Sequence, residues 1–199
     1  MEQEQMKGVR LPVLETPRLY LRPLGMEDVP ALQQTFPRWE IVKYLSRRVP
    51  WPYGPDAALT YIRDISLPAM ACGELWEWSI RPRVAPETLI GVITLMKSEK
   101  NPQGDNRGFW LAPEWQGQGL MTEAVEAVTD YWFTVLAQPV LRTAKAGENR
   151  ASSAISRKTG MRLVERFHRD FLCGDQLPAE RWEITREEWL TRKKRLKTV

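Results

Sequence analysis

Gly117 and Gly119 stand between an apolar run and a long amphipathic run in the stretch DNRGFWLAPEWQGQGLMTEAVEAVTDYWF, residues 105–133. Phe109, Trp110 and Leu111 read as a strand that leads into Pro113. The loop Gln116-Gly117-Gln118-Gly119 follows, and helical spacing begins after it. Glycines let a backbone turn tightly and set several N–H groups on one side. The first turn of a helix adds unpaired N–H donors and a partial positive charge. Together they make a cradle for a diphosphate. The Walker pattern needs Lys-Ser/Thr after its last glycine, where this chain has Leu120-Met121. The dinucleotide fingerprint needs a third glycine or alanine, where this chain has Thr122. Neither nucleotide pattern fits well, and acyl-CoA is the remaining common diphosphate.

The loop resembles the cofactor motif of the GNAT superfamily of N-acetyltransferases, [Arg/Gln]-x-x-Gly-x-[Gly/Ala], as Gln116-Gly117-Gln118-Gly119-Leu120-Met121. Met121 departs from the usual small residue, a mild change where the binding groups are backbone N–H. Two further blocks carry the resemblance in the family's order. Glu15-Thr16-Pro17-Arg18-Leu19-Tyr20-Leu21-Arg22-Pro23-Leu24 is similar to the first strand of the RimJ/RimL-type branch. Asn149-x-x-Ser152 with Lys158-x-Gly160-Met161 is similar to its next cofactor segment.

The resemblance implies an α/β fold with a mixed, mostly antiparallel central sheet, splayed at the cofactor site and flanked by helices. It implies acetyl-CoA as cofactor and direct attack of a primary amine on the thioester. The backbone of Trp110, Leu111 and Ala112 would pair with the pantetheine arm. Gln116, Gly117, Gln118, Gly119, Leu120, Met121 and Thr122 would receive the diphosphate. Asn149 would contact the cofactor arm. Ser152 would lie near the sulfur and protonate it, the alternative being that Ser152 or Ser153 caps a short helix.

The attacking amine must lose its proton. Many relatives carry a glutamate on the central strand where this chain has Asn106, and an amide cannot accept a proton. Asp105 is adjacent but alternation points it to the opposite face. Glu77, on the polar face of its own strand, is the other candidate. No metal is expected, since the chain has one histidine, His168, in a charged run.

The acceptor is read as a peptide N-terminal α-amine, as on a ribosomal protein, or as a small-molecule amine such as an antibiotic or amino acid. Arg47-Arg48 favours an acceptor that carries carboxylate or phosphate. A non-catalytic acyl-CoA-binding module is the rival from another class. The sequence leaves homodimer formation open.

The chain has 199 residues and a net charge of +4, within single-domain size. The reading is a polar extension over 1–14, one domain over 15–190 and a basic tail over 191–199. The whole charge excess falls after Thr185, so a nucleic-acid partner is not expected except through that tail. No apolar run reaches a membrane span, the first residues lack a signal-peptide core, and Cys72 and Cys173 form no motif. A cytoplasmic location with reduced thiols is the expectation.

The elements that must position these groups also show in the pattern. Strands are expected over Arg18–Leu24, Leu75–Ile80, Thr88–Leu95, Val140–Ala146, Met161–Phe167 and Ala179–Ile184. Helices are expected over Met26–Phe36, Asp56–Ile65, Met121–Val135 and Asn149–Gly160, with a last one opened by the capping box Thr185-x-x-Glu188. Leu75 to Leu111 reads as an antiparallel meander. The aromatic, basic segment Arg38–Pro55 borders an opening or plugs the core.

Overall fold

A computed structural model describes residues 11–97 and 104–197. Strands β1 (Leu14–Glu15), β2 (Leu19–Pro23), β3 (Leu75–Pro82), β4 (Gly91–Met96) and β5 (Arg107–Leu111) form one antiparallel sheet in sequence order. Strands β6 (Val140–Ala146), β7 (Arg162–Phe171) and β8 (Gly174–Thr185) form a second, in the order β6-β8-β7. The meander is present as expected, with Glu77 opposite Thr94 and Thr94 opposite Gly108. The terminal strand pair is a longer hairpin than its apolar pattern showed. The run Asn101–Asn106, NPQGDN, has the composition of a turn, and its residues 101–103 lie outside the described residues.

Alternation gives the first sheet two unlike faces. One carries Trp76, Trp78, Ile80, Ile93, Leu95 and Leu111 against α5 (Leu120–Thr134), whose Val125, Val128 and Trp132 are buried. This is the main core. The other face carries Val92 and Trp110 and meets helices α1 (Val29–Thr35), α2 (Trp39–Val42) and α3 (Ala57–Thr60) through Leu32, Phe36, Ile41, Val42 and Ala58. The expected first helix is thus a 3-10 turn, Met26–Asp28, followed by α1. The helix expected to end at Ile65 runs on. A π-helical section, Tyr61–Ser66, joins α3 to α4 (Leu67–Ala71). The wide turns accommodate Pro68, which has no N–H to give.

Helix α6 (Arg150–Lys158) follows β6. Helix α7 (Arg186–Lys197) opens on the anticipated capping box. The Thr185 N–H donates to Glu188 Oε2 at 2.8 Å, and the Glu188 N–H returns to Thr185 Oγ1 at 3.3 Å. The polar face of α5 is not left in water. Glu123 receives Thr16 and Arg18, Glu126 pairs with Arg192 at 2.6 Å, and Asp130 takes Trp189 Nε1 and Lys193. The basic end of α7 is therefore clasped to α5, and the boundary expected at residue 190 lies inside a helix.

Candidate active site

The two sheets touch where the start of β5 meets the middle of β6, and beyond Arg107 no hydrogen bond joins these strands among the described residues. At the closed end the Asn106 N–H donates to Arg142 O at 2.8 Å, and the Arg142 N–H donates to Asn106 Oδ1 at 2.9 Å. Asn106 Nδ2 also reaches Met96 O at 3.2 Å. The residue standing at the family's glutamate position is thus a staple between strands. Asp105 sits beside it, accepting from the Ala144 N–H and paired with Arg169 at 2.7 Å. Both its oxygens are engaged in clamping the strands.

Beyond this clamp the backbone edge of β5 is open. Asn106 O accepts from the Met96 N–H, and the Ala112 N–H donates to Ile90 O. Antiparallel alternation between these two bonds turns the polar groups of Gly108, Trp110 and Ala112 toward β4. Those of Phe109 and Leu111 turn toward the gap, with Leu111 O taken by Gln116 Nε2 at 2.8 Å. Phe109 was missed at the sequence level, although counting by twos back from Leu111 would have reached it. The side chain of Trp110 faces the other way and meets Phe36 edge-on at 5.2 Å.

At the open end of the gap lies the glycine loop. Gly117 and Gly119 have φ of 74° and 77°, a left-handed conformation that only glycine adopts freely. The N–H groups from Gly117 to Thr122 find no acceptor among the described residues; the first helical bond runs from the Glu123 N–H to Gly119 O. Arg18 braces the loop through Gln118 O at 2.9 Å and Glu123 at 2.7 Å, placing a guanidinium beside the cradle. A Cβ at Gly117 would meet nothing within 4 Å, so the concavity faces open space. These features suit a diphosphate.

A cavity of about 1680 Å³ enters from the α1–α4 side and reaches through the gap to α6. On the first side its floor is Glu77. This carboxylate is 2% exposed and accepts from Tyr61 Oη at 2.8 Å, Ser66 Oγ at 2.6 Å and Thr94 Oγ1 at 2.6 Å. Burial raises its pKa above the ordinary value, and the three hydroxyl bonds offset this only in part. The strand face read as polar is thus polar but buried. Burial pushes Tyr53, on the same wall, up to about 12.

On the far side the first turn of α6 closes the cavity. Asn149 is the cap, its Oδ1 accepting from the Ser152 N–H at 3.2 Å. Ser153 Oγ donates to Glu180 at 2.9 Å. Ser152 Oγ has no partner among the described residues, and Ser152 lines the cavity. The helix therefore does not need Ser152 as its cap. Of the sequence-level candidates, Glu77, Asp105, Trp110, Asn149 and Ser152 line this one cavity, while residues 116–122 lie past the open end of β5. His168 is exposed on β7, and no cluster able to hold a metal occurs among the described residues.

The domain family described as Acetyltransferase (GNAT) domain matches residues 18–162. An uncharacterized N-acetyltransferase of Bacillus subtilis, YoaA, is 26% identical over 154 residues, covering 75% of this chain and 82% of that protein. Among solved structures, the ribosomal-protein-S5-alanine acetyltransferase of Vibrio fischeri superposes with a TM-score of 0.76 at 15% identity, covering 89% of this chain and 98% of that one. The spermidine N-acetyltransferase of Vibrio cholerae, solved with CoA and spermine, superposes at 0.72 with 19% identity, covering 88% and 99%. At these identities the superpositions speak for the fold. The family match spans most of the chain and contains both the strand gap and the glycine loop. The chain belongs to the acetyltransferase (GNAT) domain family, whose members use acetyl-CoA, and is an N-acetyltransferase.

Proposed function

We infer that this enzyme acetylates a primary amine that enters from the α1–α4 side, with Glu77 as the proton acceptor. The observation that carries this reading is a buried, hydroxyl-ringed carboxylate at the floor of the cavity. A carboxylate with a raised pKa is suited to take a proton near neutral pH. Asp105 suits the task less, because Arg169 and the Ala144 N–H already hold its oxygens.

The donor would lie along the gap. Residues 117–122 would hold its diphosphate through backbone N–H groups, and Phe109 and Leu111 would pair with the amide-bearing arm. Asn149 Nδ2, left free by the cap, would meet that arm from β6's side, and Ser152 Oγ would face the sulfur. The chemistry acetyl-CoA supplies is an activated acyl carbon; the chain supplies alignment, proton acceptance and exclusion of water.

The acceptor reading is a peptide N-terminal α-amine. Such an amine titrates near ~8 and needs only a modest base. The cavity mouth is broad, with Tyr44, Tyr53 and Arg48 on its wall. The V. fischeri relative is a ribosomal-protein-S5-alanine acetyltransferase. A small amine is the second reading, favoured by the V. cholerae spermidine enzyme. Thiol release from acetyl-CoA, followed over a panel of short peptides and small amines, tests both. Turnover confined to polyamines or amino acids would sink the peptide reading, and no turnover with any amine would sink both.

A further inference from the structure

Two cations stand buried on the α5–α6 face of the gap, opposite Glu77. Arg107 is 2% exposed and Lys145 5%. Arg107 Nη1 donates to Thr129 Oγ1 at 3.0 Å and Nη2 to Met161 Sδ at 3.3 Å, while Nε has no partner. Lys145 Nζ donates to Ser152 O at 3.1 Å and bonds Ser156 Oγ. Neither makes an ion pair among the described residues. Buried cations are ordinarily matched by an acid, and these two have only neutral partners.

Their placement follows from register. Arg107, Phe109 and Leu111 share one side of β5, and Leu141, Thr143 and Lys145 share the matching side of β6. Glu77, Thr94 and Trp110 occupy the opposite side of the first sheet. The cavity that touches Glu77 also touches Arg107, Lys145 and Ser152. A reacting group held in the gap would have a carboxylate on one side and two cations on the other. The acid face suits the arriving ammonium, and the cationic face suits a departing anion.

We propose that Lys145, backed by the fixed charge of Arg107, is the group that receives the leaving CoA thiolate. The proposal rests on the acetyl-transfer reading of the gap. In the step, the amine nitrogen bonds the thioester carbon and the C–S bond breaks with its electron pair on sulfur. The acceptor attacks as the neutral amine, its ammonium proton already lost to solvent, and Glu77 takes the second proton that the nitrogen sheds as the amide forms. The thiolate settles against Lys145 Nζ and gains its proton from solvent on release, while Glu77 returns its own to solvent. Ser152, whose carbonyl Lys145 holds, faces the same sulfur.

Burial, and then the charge of Arg107, hold the Lys145 pKa well below its usual value, with Asp105 and Glu180 pulling the other way; a thiolate arriving at Nζ opposes that shift and favours the charged ammonium. Asp105 is already paired with Arg169, and Glu180 is bonded by Ser153 and Trp182 Nε1. A thiolate would be the first anion to meet the pair directly. A thiol beside such cations ionises more readily than in water.

The test uses full-length protein and CoA itself. Binding is measured by calorimetry, and ultraviolet absorbance of the bound thiolate is followed against pH. The wild-type complex is expected to hold at least ~10-fold more thiolate at neutral pH than free CoA. Lys145→Gln, which can keep the bond to Ser152 O without a charge, should still bind CoA but return its thiol toward free behaviour. Wild-type-bound CoA that titrates like free CoA overturns the proposal, and this arm stands if the variant does not fold. A shift retained in Lys145→Gln overturns it as well. Failure of CoA to bind the wild type would overturn the functional reading of the gap, and this inference with it.

Discussion

Glu77 and Thr94 lie opposite each other on β3 and β4, and the Thr94 hydroxyl donates to the Glu77 carboxylate at 2.6 Å beneath the cavity. The pair fixes the acid by backbone register, so its position depends on the sheet and not on a loop. Tyr61 and Ser66 then close over it from the helical layer.

Glu77→Gln keeps the volume and part of this hydrogen bonding but cannot take a proton. The expected outcome is a fall in kcat of ~10²–10⁴-fold with acetyl-CoA affinity nearly unchanged. The wild-type kcat/KM should rise with pH along a limb above the ordinary glutamate range, since burial raises this group. The variant should lack that limb. An intact limb in Glu77→Gln would place the base elsewhere.

The same shift bears on stability. A folded-state pKa raised above the unfolded value favours the protonated form in the native state. The contribution is full below the unfolded value, near ~4.3, and is lost as pH rises through the folded value. Denaturant titrations across pH should show Glu77→Gln gaining on wild type as pH climbs through that window. Parallel curves would mean that the carboxylate is already accommodated when charged.

Ser152→Ala should separate chemistry from folding. Ser152 Oγ bonds nothing among the described residues and Asn149 supplies the helix cap, so the melting temperature should stay close to wild type. kcat should drop strongly if the hydroxyl serves the departing sulfur. Unchanged kcat, with single-turnover rates confirming that chemistry limits, would leave the hydroxyl without a catalytic part.

Gly119→Val places a β-branched residue at φ 77° in the loop. The strain of a left-handed conformation is roughly 1–2 kcal/mol, and the loop would relax by turning its N–H groups away. Calorimetry should show acetyl-CoA affinity lowered at least ~10-fold. Affinity equal to wild type would show that the diphosphate does not rest there.

Deleting residues 191–199 removes the Arg192–Glu126 and Lys193–Asp130 pairs but leaves the buried Trp189. Partly exposed pairs contribute roughly 0.2–1 kcal/mol each. Turnover on a small acceptor should be near wild type, and the melting temperature should fall by a few degrees. Loss of turnover in a folded, truncated protein would mean that α7 shapes the site.

Much of this was legible in the sequence where local chemistry decides the outcome. The glycine loop, the capping box at Thr185 and the meander from Leu75 to Leu111 each depend on neighbours in the chain. The clasp between α5 and α7 was not legible, because Glu126 and Arg192 meet only through tertiary packing. Asn106 looked like a missing base, yet it proves to be a staple that needs Arg142 to have meaning. The burial of Glu77 was hidden for the same reason. Its strand alternates as a half-solvated strand would, and only the helices laid across it exclude water. Arg107 and Lys145 gave no pattern at all, since a lone cation in a strand is ordinarily surface.

The π-helical section has a consequence for how the acid is gripped. In a regular α-helix, at about 100° per residue, positions five apart point some 140° away from each other. Tyr61 and Ser66 are five apart, yet both hydroxyls reach Glu77. The wider turn brings the two positions back onto one side. In geometric terms it acts as one extra residue held within the helix. Removing one residue between them, Arg63 for instance, would restore an ordinary helix and force the acid to give up one of its two helical donors.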